Sequence, residues 1–280
     1  MRVRSGRTVL SRLAHLARVK GVRARTAVPF WGVTGVHLAA QLVLAAGVPG
    51  AGVVAPVTKT LLMPALALVL ADGLRHSGHS GRVDRSAPGW WPWAAVAVTF
   101  SWFGDLALIS PDLFLAGVGL FGIAQVAYAA TFVAAGDASR TSSRPGLLAP
   151  YAVWWLALAG FFAATGGVNP FLFAVSGYGL ALGTMAFLAH RISPATATGA
   201  ALFVASDSLI GLRGAGLELP AHGFWVMSTY LAAQWLIVRG LVEVAGAAGA
   251  DGHDETAPAP GAAALRSRTS TTSATATPGA

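Results

Sequence analysis

The sequence predicts an all-α polytopic membrane bundle of eight transmembrane helices with both termini in the cytoplasm. Three observations carry this. Hydrophobic residues make up 55% of the 280 residues and charged ones 11%, against about 25% charged in a soluble domain. Mean hydropathy is +0.62. Arginine and lysine sort onto alternate connections between apolar runs, as the positive-inside rule requires.

Segments of about 17 to 25 apolar residues cross a bilayer as helices. They fall at 28–47, 57–73, 91–110, 112–135, 147–165, 170–190, 195–212 and 221–245. "SPD" at 110–112 and "TGGVNP" at 165–170 are turn signals. They make spans three and four, and five and six, helical hairpins. The first run is too long for a signal peptide, with no clear small-residue cleavage site behind a short core.

Charge sets the orientation. The arm over residues 1–27 holds Arg2, Arg4, Arg7, Arg12, Arg18, Lys20, Arg23 and Arg25. Arg75, Arg82 and Arg85 follow span two, Arg140 and Arg144 span four, Arg191 span six, and Arg239, Arg266 and Arg268 lie toward the C-terminus. With eight spans, all of these fall on one side. The other side keeps Arg213, with Lys59 at the start of span two. The basic arm reads as a membrane-surface segment. It lacks the interleaved aromatics that stack bases, so nucleic acid is not an expected partner. Trp90, Trp91 and Trp93 open span three as an expected interfacial anchor. Residues 28–245 are the membrane domain. Residues 246–280, rich in Ala, Thr, Ser, Gly and Pro, read as a disordered tail. The expected location is the cell membrane, among membrane lipids.

Ionisable groups inside spans are costly and mark function. Asp105, in "SWFGDLALIS", lies about 14 residues into span three, roughly 21 Å at 1.5 Å per residue. Asp207, in "LFVASDSLIGL", lies about 12 residues into span seven, roughly 18 Å. Lys59 stands near the outer end of span two, so the three share one layer in the outer half of the bilayer. Gly104, Ser206 and Ser208 flank the aspartates; small residues let helices close in, and serines can bond a carboxylate. Gln125, Tyr128, Tyr178, Tyr230 and Gln234 reach similar depth and line one expected polar pocket. His37 is expected as a satisfied core histidine. Asp72 is expected to pair with Arg75.

A carboxyl removed from water and set near a second one keeps its proton more readily. Such a pair supplies one acid and one base. Cysteine is absent, so thiolate chemistry is excluded. There is no G-x-S-x-G elbow, no H-E-x-x-H and no paired histidine spacing for a metal. Asp105 and Asp207 are therefore the candidate acid/base pair, with no metal and no cofactor called for.

Six stretches carry a family resemblance. They are "TKTLLMPAL" at 58–66, "SWFGDLAL" at 101–108, "FLAGVGLFGIAQVAY" at 114–128, "YGLALGTMA" at 178–186, "GAALFVASDSLIGL" at 199–212 and "STYLAAQWLI" at 228–237. In this order they resemble the YhhN family of lysoplasmalogenase-like integral membrane proteins. Two positions depart from its pattern. Thr60 stands where proline is usual, and Gln125 where many members have histidine; a glutamine does not transfer a proton as histidine would. The resemblance implies a hydrolase that cleaves the vinyl-ether bond of a lysophospholipid substrate, a lysoplasmalogen, to a fatty aldehyde and a glycerophospho-alcohol. Asp105 and Asp207 would be catalytic, and Lys59 would hold the lipid phosphate as a point charge. The competing readings are a hydrolase of another lysolipid, a proton-coupled transporter using the same aspartates, and a lipid-binding scaffold without turnover.

Overall fold

A computed structural model describes residue 22 and residues 24–48, 51–77, 88–214 and 216–254. Eight long helices and no strand occur among the described residues. They are α1 (Ala24–Ala45), α2 (Ala51–Ser77), α3 (Trp91–Ala107), α4 (Phe114–Ala135), α5 (Ala149–Gly166), α6 (Pro170–Ala189), α7 (Pro194–Gly214) and α8 (His222–Asp254). Each coincides with one apolar run. Six of them, all but α3 and α8, are long and apolar enough to cross a membrane. α3 has only 17 residues. α8 is broken in its apolar character by Gln234, Arg239 and Glu243. α8 also runs past residue 245 to Asp254, and α1 begins inside the stretch assigned to the basic arm. Apart from Val22, the rest of the arm and tail, with Arg82 and Arg85, lies outside the described residues.

The hairpins form as the turn signals require. Ser110 is extended and Pro111 opens a 3-10 turn that feeds α4. Gly167 takes a φ of 70°, and the Asn169 side chain caps α6 by accepting from the Leu172 N–H at 2.9 Å. Neighbours in sequence pack side by side: α1 on α2, α3 on α4, α7 on α8. α8 then crosses back onto α2, and α4 onto α6, which closes the bundle. Two close approaches depend on glycine. A methyl at Gly199 would sit 2.9 Å from the Ala233 carbonyl oxygen and 2.8 Å from Leu236 Cβ, so α7 and α8 meet nearly backbone to backbone. A methyl at Gly104 would fall 2.6 Å from the Phe121 ring, so α3 seats that ring directly beside Asp105.

Prolines inside α2 have a local consequence. Pro64 has no N–H for the carbonyl of Thr60, four residues earlier. The Trp102 indole on α3 donates to that carbonyl at 2.9 Å. The tertiary contact replaces the missing helical bond and ties the Lys59 end of α2 to the Asp105 end of α3.

Trp91 and Trp93 are exposed at the start of α3, as an interfacial anchor should be. Trp90 is not: it is buried in the core, because it precedes the helix and folds inward. His37 is fully buried and satisfied, its Nδ1 at 2.8 Å from the Thr58 hydroxyl and its Nε2 at 3.3 Å from Gln41 Nε2. Asp72 accepts from Thr26 at 3.3 Å and lies 3.2 Å from His76 Nδ1.

Candidate active site

Depth along the helices places the polar residues, and packing sorts them into two groups. α2, α3 and α8 build the first around Asp105, which is 2% exposed. Lys59 Nζ approaches its Oδ1 at 3.6 Å. The Tyr230 hydroxyl donates to its Oδ2 at 2.9 Å. Behind Tyr230, Gln234 Nε2 donates to the Tyr230 oxygen at 3.2 Å and to the Ser101 hydroxyl at 3.1 Å. Gln234 Oε1 accepts from the Tyr128 hydroxyl on α4 at 2.5 Å. Tyr230 and Gln234 are one helical turn apart, so one face of α8 supplies both.

α6 and α7 build the second group. The Tyr178 hydroxyl donates to Asp207 Oδ2. Gln125 on α4 is fully buried beside that hydroxyl, and neither of its amide atoms makes a hydrogen bond of ordinary geometry. Asp207 itself is half-buried. No cation pairs with it among the described residues, which is the chief chemical difference from Asp105. The two carboxylates interact electrostatically without touching. Phe121 stands between the groups: its ring meets Tyr230 at 5.9 Å and lines the slot onto which Asp207 opens.

The flanking serines do not serve the aspartate. Ser206 donates to the Val226 carbonyl at 3.1 Å, and Ser208 to the Val204 carbonyl at 2.7 Å while accepting from the Trp154 indole at 2.9 Å. Adjacent residues on a helix point about 100° apart, so neither neighbour of Asp207 shares its face. Tyrosines on other helices bond the carboxylates instead.

Three linked spaces surround these groups. A vestibule of about 700 Å³ opens at the Lys59 end of the bundle, with Lys59, Arg213, His222 and Gln41 in its wall. It shares Leu108, Phe114, Ile210 and Gly214 with the apolar slot that reaches Asp207 and Tyr178. The slot is walled by Phe114, Phe121, Phe162 and Phe171. Through Val118 and Tyr178 it adjoins a groove of about 620 Å³ between α4 and α6, lined by Val, Ile and small residues. A mouth with Lys59 in its wall thus leads past Asp207 to an apolar channel, with Asp105 behind Lys59.

His222 is a site residue that the sequence reading missed. It is 5% exposed on the vestibule wall, and its Nε2 is buried without a partner among the described residues. Its Nδ1 accepts from the Leu219 N–H at 3.4 Å. A neutral imidazole that accepts at Nδ1 carries its hydrogen on Nε2. His222 is therefore an unused donor. The available signal was depth: His222 opens its helix at the level where Arg213 ends the one before. Arg213 pairs with Glu218 at 3.3 Å at the rim. Among the described residues no group of three or more His, Asp or Glu gathers at metal-binding distance.

Comparison with known proteins gives concordant results. The YhhN family model matches residues 54–241, which include every residue of both polar groups. Lysoplasmalogenase TMEM86B of Sus scrofa is 34% identical over 142 residues, half of this chain and 59% of its own length. The Rattus norvegicus TMEM86B is 32% identical over 141 residues, half of this chain and 58% of its own length. Lysoplasmalogenase TMEM86A of Bos taurus is 33% identical over 156 residues, 53% of this chain and 64% of its own length. The chain thus spans about three fifths of the relatives it matches. No solved structure matches. The chain belongs to the YhhN family.

Proposed function

We propose that the protein is a lysoplasmalogenase of the cell membrane, with eight spans and both termini in the cytoplasm. The observation that carries the reading is the difference between two carboxylates at one depth. Asp105 faces a cation beside a polar mouth, and Asp207 faces an apolar slot with only a hydroxyl donor.

Vinyl-ether hydrolysis needs that asymmetry. The rate-limiting event is protonation of the β-carbon, which converts the ether to an oxocarbenium ion. Water adds to the cationic carbon and loses a proton, giving a hemiacetal. The hemiacetal collapses: the carbon–oxygen bond to glycerol breaks, the glycerol oxygen takes a proton, and a fatty aldehyde leaves. Asp207 is the proton donor. Its Oδ2 accepts from Tyr178, which leaves Oδ1 to carry the acidic hydrogen into the slot. Asp105, paired with Lys59, is the carboxylate that takes the proton from water and opposes the developing positive charge. Tyr230 and Gln234 orient Asp105, and Tyr128 fixes Gln234. Gln125 lies behind Tyr178 as a polar backing for the donor. In the vestibule Lys59, Arg213 and His222 Nε2–H bind the phosphate, and the alkenyl chain runs along the slot into the groove between α4 and α6.

The test is fatty-aldehyde release from a lysoplasmalogen by the purified protein in detergent. The wild type releases aldehyde; Asp207→Asn and Asp105→Asn each lose about 10²-fold or more in kcat while remaining folded. Turnover retained in both variants overturns the pair. Release of fatty acid from an ester lysolipid, with none from the vinyl ether, moves the substrate class.

A further inference from the structure

The opposite end of the bundle carries a cavity that this reaction does not use. It has a volume of about 670 Å³ and lies between the α4–α5 connection and the start of α7. Its polar wall is Ser139, Arg140, Ser143 and Arg144 from the connection, His190 at the end of α6, and Thr198 on α7. The level is that of lipid headgroups: α4 and α6 have just ended, and α5 and α7 are about to begin.

The wall is held in place. The Asp137 N–H donates to the Arg191 carbonyl at 3.0 Å, and Arg140 Nη1 to the Ile192 carbonyl at 3.0 Å. These bonds staple the connection to the turn between α6 and α7. Hydrogen bonds from Ser139 hold the Asp137 carboxyl below the usual carboxylate range, so Asp137 stays charged near Arg140 Nε, 3.9 Å away. It offsets one of three local cations. Arg144 is exposed with no ion-pair partner among the described residues, and Arg191 Nε is buried without a partner. His190 adds an imidazole to the wall. Burial lowers its pKa below the ordinary histidine value, and the Tyr151 hydroxyl lies 3.1 Å from Nε2. With that hydroxyl donating, the ring hydrogen sits on Nδ1. The floor is apolar, with Leu147, Pro194 and Ala197, and exposed Leu148 and Val153 continue it down the outside of α5.

Guanidinium groups at a headgroup level, above an apolar face, match one ligand chemistry: a phosphate diester with acyl chains. We propose that this cavity binds the phosphate headgroup of an anionic membrane phospholipid. The lipid is a resident at a site separate from the vestibule. Arg144 and Arg140 pair with the phosphate oxygens, the Ser143 and Thr198 hydroxyls, which donate to the Ser139 and Pro194 carbonyls, offer acceptor oxygens to headgroup hydroxyls, and the chains lie against Leu148 and Val153.

The experiment is lipid retention by the full chain in detergent, read by native mass spectrometry and by thermal unfolding. The probes are phosphatidylglycerol, phosphatidylcholine and inorganic phosphate. Phosphatidylglycerol is expected to be retained at one per chain and to raise Tm, with phosphatidylcholine about tenfold weaker. Arg144→Gln, which breaks no side-chain bond among the described residues, weakens phosphatidylglycerol retention about tenfold. Arg239→Gln, a change of equal charge elsewhere on the bundle, leaves it unaltered. Equal retention in wild type and Arg144→Gln overturns the site. So does equal weakening by Arg239→Gln, which is the signature of diffuse charge. Stabilisation by inorganic phosphate alone, equal to that by the lipid, overturns the lipid as its source.

Discussion

Tyr230 donates its hydroxyl to Asp105 Oδ2 at 2.9 Å, across two helices that are 125 residues apart in sequence. The same oxygen accepts from Gln234 Nε2 at 3.2 Å. Tyr230 is thus a relay between the carboxylate and the buried network behind it. Tyr230→Phe removes one hydroxyl and leaves two buried groups short of a partner. The expected stability loss is about 1–3 kcal/mol. Aldehyde release is expected to fall about tenfold, since Asp105 remains present but less well oriented. Thermal unfolding and kcat, measured on the same preparation, check both. An unchanged kcat removes Tyr230 from the site.

Lys59 and Asp105 form an ion pair with side chains only 15% and 3% exposed. Breaking such a pair from one side costs about 3–5 kcal/mol, because the surviving charge is stranded. Lys59→Met is expected to lower Tm sharply. Adding Asp105→Asn removes the stranded charge and is expected to recover most of the loss, without recovering turnover. Additive losses in the double variant would mean that the two residues do not share one interaction.

The sequence made the helices legible because nearly every one is an apolar run bounded by charge, proline or glycine; α8 carries Gln234, Arg239 and Glu243 within its run. Depth was legible too. At a fixed rise per residue, counting put Lys59, Asp105 and Asp207 in one layer, and Lys59 meets Asp105 there. Lateral neighbours were not legible. Helices apolar on nearly every face do not announce which side packs inward. Nothing in the chain says that Tyr230 belongs to Asp105 and Tyr178 to Asp207, or that Ser206 and Ser208 turn away to backbone carbonyls. His222 was hidden for another reason. Its meaning comes from a backbone N–H that fixes its tautomer and from a cavity formed by five helices and the turn between α3 and α4.

Gly104 allows the Phe121 ring to lie against α3 beside Asp105. An alanine methyl would enter the ring's edge at 2.6 Å. The ring cannot retreat freely, because it also packs edge-on against Phe203 at 6.2 Å and Tyr230 at 5.9 Å. Gly104→Ala is expected to cost about 1–3 kcal/mol by overpacking. It also shifts a wall of the slot, so KM for long-chain substrate rises more than KM for a short-chain analogue. Equal effects on both chain lengths would show that Phe121 does not shape the slot.

Trp102 and Pro64 should be coupled although they do not exchange a hydrogen bond. Pro64 deprives the Thr60 carbonyl of its helical donor, and the Trp102 indole supplies one at 2.9 Å. Trp102→Phe keeps most of the ring volume and removes the donor. It leaves a carbonyl unpaired, at about 1–3 kcal/mol. Pro64→Ala restores a backbone N–H that reaches the same oxygen. Trp102→Phe is therefore expected to cost less in a Pro64→Ala background, with a coupling of about 0.5 kcal/mol or more. Denaturation of the four proteins of the cycle in one detergent measures it. Additivity within about 0.3 kcal/mol would mean that the indole contributes only its bulk, and that α2 tolerates the missing bond near Lys59 without help.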